Sequence, residues 1–156
     1  MAGVPGRAAI AACMIILACG GGADTDQAAV PDSVPAAAPA SVSLAEVAGT
    51  WQVKSMNEAG DSIAGHELVA TADNLGWTMT FPGRDPVPVR IVAVEGDSVV
   101  TEAGPYESIL RPGVQVTVNA VSRFQGTSST GTFVAHYTTT GADSVIRGTA
   151  TGTKIR

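Results

Sequence analysis

The chain has 156 residues, 45% of them hydrophobic and 15% charged, and carries a formal net charge of -5. That length suits one ordinary domain rather than two. The acidic balance, with Lys54 and Lys154 the only lysines, argues against nucleic-acid binding, which needs a basic footprint.

Residues 1–18 read as an export signal. Arg7 is the only charge before Asp24, and it precedes an apolar run from Ala8 to Ala18. The run is too short to span a bilayer as a helix, which takes about 20 apolar residues. A basic start, a short apolar stretch and small residues after it have the form of a secretory leader. The next residues, Ile16-Leu17-Ala18-Cys19-Gly20, resemble the lipobox of bacterial lipoproteins. An aliphatic residue stands third before the cysteine and a small one directly before it, while Leu17 is a less usual occupant of its place. The resemblance implies cleavage before Cys19, a diacylglycerol on its thiol and an acyl chain such as palmitate on the new amino terminus. Each buried methylene contributes about 0.8 kcal/mol, so two or three chains anchor a protein firmly. Gly20 rather than Asp after the cysteine resembles the sorting pattern for the outer membrane, facing the periplasm or the surface. Cys13 leaves with the leader, so the mature chain keeps one thiol and no internal disulfide is expected.

Residues 19–42 hold no aromatic and no periodic apolar face; Gly, Ala, Pro, Ser and Asp dominate. Such a stretch cannot bury enough apolar surface to offset the entropy of ordering it. It reads as a disordered linker between the lipidated end and the domain.

The domain spans 43–156, and Leu44 to Ala48 forms one short helical turn at its start. After it the pattern has period two: Trp51, Val53 and Ser55 alternate with Gln52 and Lys54, and Val114, Val116 and Val118 alternate with Gln115 and Thr117. Abundant Val and Thr suit strands. Turn signals at Asn57 to Asp61, Asp73 to Gly76, Pro82 to Pro86, Gly96-Asp97, Pro112-Gly113, Gln125 to Gly131 and Gly141 to Asp143 divide it into about eight strands. The expected spans are 49–56, 63–72, 76–82, 87–95, 98–111, 114–124, 131–140 and 144–154, with Gly104-Pro105 bending or splitting the fifth. An all-β antiparallel meander with one apolar face per strand curls into a small barrel, closed or half-open.

Gly49-Thr50-Trp51, directly after the helical turn, resembles the opening of a lipocalin-like domain. There a G-x-W on the first strand closes one end of an eight-stranded barrel. The resemblance implies an Arg from the last strand over that Trp, with Arg147 and Arg156 as candidates, and a small apolar ligand in the barrel mouth. This chain is short for that family, and a barrel of its size can be filled by its own side chains. The stretch from Gly76 to Val114 is also similar to small bacterial lipoproteins of no known activity.

Gly60-Asp61-Ser62 and Gly96-Asp97-Ser98, with a looser copy at Gly141 to Ser144, read as repeated turns. A nucleophile elbow needs a Gly on both sides of the Ser and a helix after it. His66 and His136 are the only histidines; with Glu67 and Asp143 they share no local metal-binding spacing, so each reads as isolated, at the surface or the mouth. Glu102, Tyr106, Glu107 and Arg111 gather around the Gly104-Pro105 bend. Two carboxylates and a phenol suit acid–base chemistry, but a surface ion pair is the favoured reading. Pro82 to Pro88 is a stiff connection whose prolines block edge pairing, or else a partner-binding loop. No catalytic, cofactor or metal motif is present, so the reading is not an enzyme and implies no cofactor.

Two functions remain. The first is a membrane-anchored envelope protein whose barrel holds a small hydrophobic ligand, with Trp51, Trp77, Met79, Phe81, Tyr106 and Tyr137 as lining or plug residues. The second is an envelope protein with a filled core, acting through its loops on a protein or cell-wall partner. An apolar cavity of at least about 300 Å³ favours the first, and a packed interior the second.

Overall fold

The structure is a computed structural model that describes residues 41–141 and 144–156. Cys19, the leader and the linker up to residue 40 lie outside the described residues, as does Asp143. One short helix, α1 (Leu44–Val47), precedes eight strands: β1 (Gly49–Asn57), β2 (Ser62–Ala70), β3 (Thr78–Thr80), β4 (Val87–Glu95), β5 (Ser98–Glu107), β6 (Gln115–Gln125), β7 (Ser128–Tyr137) and β8 (Val145–Lys154). Each strand pairs antiparallel with the next, and β8 returns to β1 to close the barrel. At the seam Val53 pairs with His66 on one side and Gly152 on the other. The all-β expectation and the meander order both hold, and the topology fits a lipocalin-like barrel.

Register sends alternate residues inward. Trp51, Val53 and Ser55 of β1 are buried while Gln52 and Lys54 between them are exposed. Space for the larger inward side chains comes from small residues on neighbouring strands. Gly148 of β8 is the tightest case: a Cβ there would collide with the Met56 carbonyl oxygen and stand 2.8 Å from Phe133 Cζ. Ala150 and Gly152 continue the same small inward face, which makes room for Val53 and Phe133 to point into the lumen.

The largest departures from the expected spans are at three strands, the others shifting by one or two residues at an end or not at all. β3 has three residues rather than the seven expected over 76–82. Pro82, Pro86 and Pro88 have no N–H to donate, so the ladder between β3 and β4 is limited to Thr78↔Pro88 and Met79↔Val87. β7 starts at Ser128 instead of 131, because the turn is tight about Gly126 (φ 59°) and Ser128 to Gly131 pair with β6. Their loop-like composition reflects an inner face that needs small side chains beside Phe124. The fifth strand stays one element ending at Glu107, with its register shifted between Ala103 and Tyr106. Ser108 to Val114 then form a loop.

The two ends of the barrel differ. At the lower end α1 lies under β1. The buried Trp51 ring donates from Nε1 to the Val47 carbonyl at 2.9 Å, and Phe124 meets it edge-on at 5.0 Å. Trp77 meets Phe124 at 6.4 Å and donates to the Thr71 and Asp73 carbonyls. Neither arginine named from the lipocalin resemblance covers Trp51. Arg147 is exposed on β8 and Arg156 is exposed at the chain end. Lys154 takes the place instead, its Nζ 5.6 Å from the Trp51 ring centroid and 3.1 Å from the Glu46 carbonyl. It pairs with Trp51 across β1 and β8, which puts its ammonium over the ring. The upper end carries the loops after β1, β3, β5 and β7.

Candidate ligand cavity

Between the Trp51 floor and the upper loops the lumen is not filled. A cavity of about 130 Å³ runs through it, less than half of the roughly 300 Å³ that marks drug-sized ligand sites. It is nevertheless close to the roughly 150 Å³ that admits a benzene-sized molecule into an apolar core. Its wall is mostly Val, Ala, Leu, Ile and aromatic side chains, and among the described residues no Lys, Arg, Asp or Glu lines it.

Of the residues named from sequence, Met79, Phe81, Tyr106 and Tyr137 line the cavity. Trp51 and Trp77 lie outside its lining and plug the lower end with Phe124. One wall is a chain of rings. His66 meets Phe81 edge-on at 5.4 Å, and Phe81 tilts against Tyr106 at 5.8 Å. The rings come together because His66 on β2, Phe81 after β3 and Tyr106 on β5 all face inward near the upper end.

Tyr106 has its pKa pushed up to about 12, mainly by burial, with the neighbouring Tyr137 adding to the effect and Arg84 opposing it. Its phenol is therefore protonated at neutral pH and available as a donor. Burial pushes the His66 imidazole down to about 4, so it is neutral there. Its Nδ1 is shut off from solvent and has no hydrogen-bond partner.

The rim is braced by its own backbone. Ser108 is fully buried, and its Oγ accepts from the Leu110 and Arg111 amides at 3.0 and 3.1 Å. Glu107 Oε1 accepts from the Gly113 amide at 3.1 Å, and Arg84 donates to the Glu107 carbonyl at 2.8 Å. The loop after β3 is thereby tied to the end of β5. Arg111 lies 4.3 Å over the Tyr137 ring, while Ile109 and Leu110 complete the lining from above.

The bend at Gly104-Pro105 does not gather its carboxylates around the phenol. Glu102 binds Arg90 at 2.8 Å, Glu107 braces the loop, Arg111 covers Tyr137, and only Tyr106 enters the cavity. The favoured ion-pair reading describes Glu102. The histidines do not meet either: His136 is exposed while His66 is inside, because they stand on opposite faces of the barrel wall. Among the described residues no group of three metal-binding side chains occurs. The Gly-Asp-Ser strings are turns. Gly60 and Gly96 have φ of 88° and 56°, Asp61 accepts from Asn57, and Ser98 donates to Asp97 at 2.9 Å.

His66 as a lining residue was missed from sequence, although the alternation Ala64, His66, Leu68, Ala70 carries the signal. Phe124 and Phe133, which also line the cavity, fall in expected strands but were not among the lining candidates. Compared with family models, with curated proteins and with solved structures, the chain matches none. The lipocalin resemblance therefore rests on Gly49-Thr50-Trp51 and on the closed eight-stranded topology.

Proposed function

We propose that the protein is a lipid-anchored envelope lipoprotein whose barrel binds a small hydrophobic molecule. The observation that carries the binding reading is the unfilled, uncharged lumen of about 130 Å³, sealed below by Trp51 and Trp77 and bounded above by braced loops. Burying a well-matched apolar ligand there gains transfer free energy that the empty lumen forgoes. The size selects a ligand of about one ring or a short aliphatic segment, rather than a drug-sized molecule. The anchoring reading rests on the lipobox at Cys19, and Gly20 after it favours the outer membrane.

Titrating the full chain with toluene tests the binding reading. Methyl resonances of Val118 and Ala135 are expected to shift saturably. Ala120→Phe, which occupies the lumen, is expected to abolish the shifts at a stability cost of about 1–3 kcal/mol. No binding by the folded wild-type chain would overturn the reading and leave the filled-core, loop-mediated interaction protein. That alternative draws support from the cavity falling short of about 300 Å³.

The anchor has its own test. Cys19→Ala is expected to release the protein from detergent-extractable membranes into the soluble fraction. Wild-type fractionation by that variant would overturn the lipoprotein reading.

A further inference from the structure

The lumen combines an uncharged wall with one polar group that the fold leaves unsatisfied, and together these define a ligand. Because no Lys, Arg, Asp or Glu among the described residues lines the cavity, an ionised ligand would lose its hydration and gain no counter-charge from them. The volume of about 130 Å³ limits the ligand to about a single ring. His66 supplies the polar group: its ring lines the cavity, and its Nδ1 is buried without a partner. A neutral imidazole carries one N–H and one bare nitrogen. Whichever nitrogen holds the proton, Nδ1 is left with an unmet donor or an unmet acceptor, a recurrent cost for a buried polar atom. The ring lies on the cavity wall and χ2 is a broad torsion, so a ring rotation is the adjustment by which a ligand in the lumen would meet that nitrogen. A hydroxyl both donates and accepts, so it serves either tautomer, while an ether or an amine hydrogen alone serves one.

We propose that the cavity takes a small, uncharged, ring-sized molecule bearing a hydroxyl, and that His66 is its hydrogen-bonding anchor. This rests on the ligand-binding reading above and adds the chemical class of the ligand. Phe81, edge-on to His66, forms the wall against which a ring packs, and Tyr106 next to it keeps its proton and offers a second donor.

Phenol and toluene have nearly the same shape and differ in the hydroxyl, so the pair isolates the anchor. The full chain, labelled with nitrogen-15 in its histidines, is titrated with each. Phenol is expected to bind at least about tenfold more tightly than toluene and to move the His66 ring signals. The His136 signals, from the outer face, are expected to stay in place. His66→Phe is expected to keep toluene binding and lose the preference for phenol. Should that variant not fold, the wild-type spectra decide by themselves. Equal affinities, or phenol binding that leaves the His66 signals unmoved, would overturn the anchor while the hydrophobic-ligand reading stands. Binding of neither probe would overturn both.

Discussion

Trp51→Ala is expected to destabilise the domain by about 3–5 kcal/mol, the range for removing a large buried aromatic side chain. The ring is fully buried and holds the lower end together in three ways. It packs edge-on with Phe124, it lies under the Lys154 ammonium, and its Nε1–H secures α1 through the Val47 carbonyl. Truncation opens a void that the start of β1 cannot readily collapse into, because the Thr50 amide donates to the Arg156 carbonyl and the Thr50 carbonyl accepts from the Ile155 amide. Trp51→Phe separates the contributions. It keeps most of the apolar volume and loses the hydrogen bond, at a cost of about 1 kcal/mol or somewhat more if the Val47 carbonyl stays buried. Denaturant unfolding of the two variants checks the ranking. A Trp51→Ala protein within about 1 kcal/mol of wild type would mean that the ring is not the keystone of this end.

The second large effect is a dependence of stability on pH through His66. Its folded pKa, about 4, lies below the ordinary 6.5, so the unfolded chain binds a proton first as the solution is acidified. Stability is therefore highest above pH 6.5 and falls as pH drops toward 4. Below that the folded state also takes the proton and this contribution levels off. At about 1.4 kcal/mol per pH unit the loss from this group approaches about 3 kcal/mol. Carboxylates titrate over part of the same range, so the informative quantity is the difference between wild type and His66→Phe. The wild-type curve is expected to fall more steeply from pH 6.5 to 4, and the two to run parallel above pH 7. Parallel curves throughout would mean that the imidazole is hydrated rather than buried. A bound hydroxylated ligand would raise the wild-type stability at neutral pH by mass action.

Strands were legible from the sequence where one face is apolar and the other polar. β1, with Trp51 and Val53 against Gln52 and Lys54, shows this plainly, as do the paired Gly-Asp-Ser turns. The pattern failed where the inward face consists of small residues. Ser129 and Gly131 look like loop by composition, yet they are strand: Ser129 stands opposite Phe124, and a Cβ on Gly131 would collide with the Val121 carbonyl and Ser122. It failed again at β3, where Trp77 and Phe81 keep strand-like alternation but the prolines that follow remove the donors of a longer ladder. Of the candidate site, the large rings Phe81, Tyr106 and Tyr137 were identifiable because aromatics are few in this chain. His66 was not, since one histidine in a short alternation looks the same on an inner or an outer face until register is known.

The sequence by itself determined an antiparallel all-β domain, its strand order and most of its turns, because side-chain alternation and Gly/Asp chemistry act over a few residues. Residues 16–20 also resemble a lipobox, a local pattern on which the anchoring proposal rests. Only the tertiary structure decided that the barrel closes, that Lys154 rather than an arginine covers Trp51, and that Trp51 and Trp77 plug one end instead of lining the cavity. It likewise decided that His66 faces a lumen left partly empty. These depend on register around the closed sheet, which brings side chains from distant parts of the chain together and sets the volume left between them.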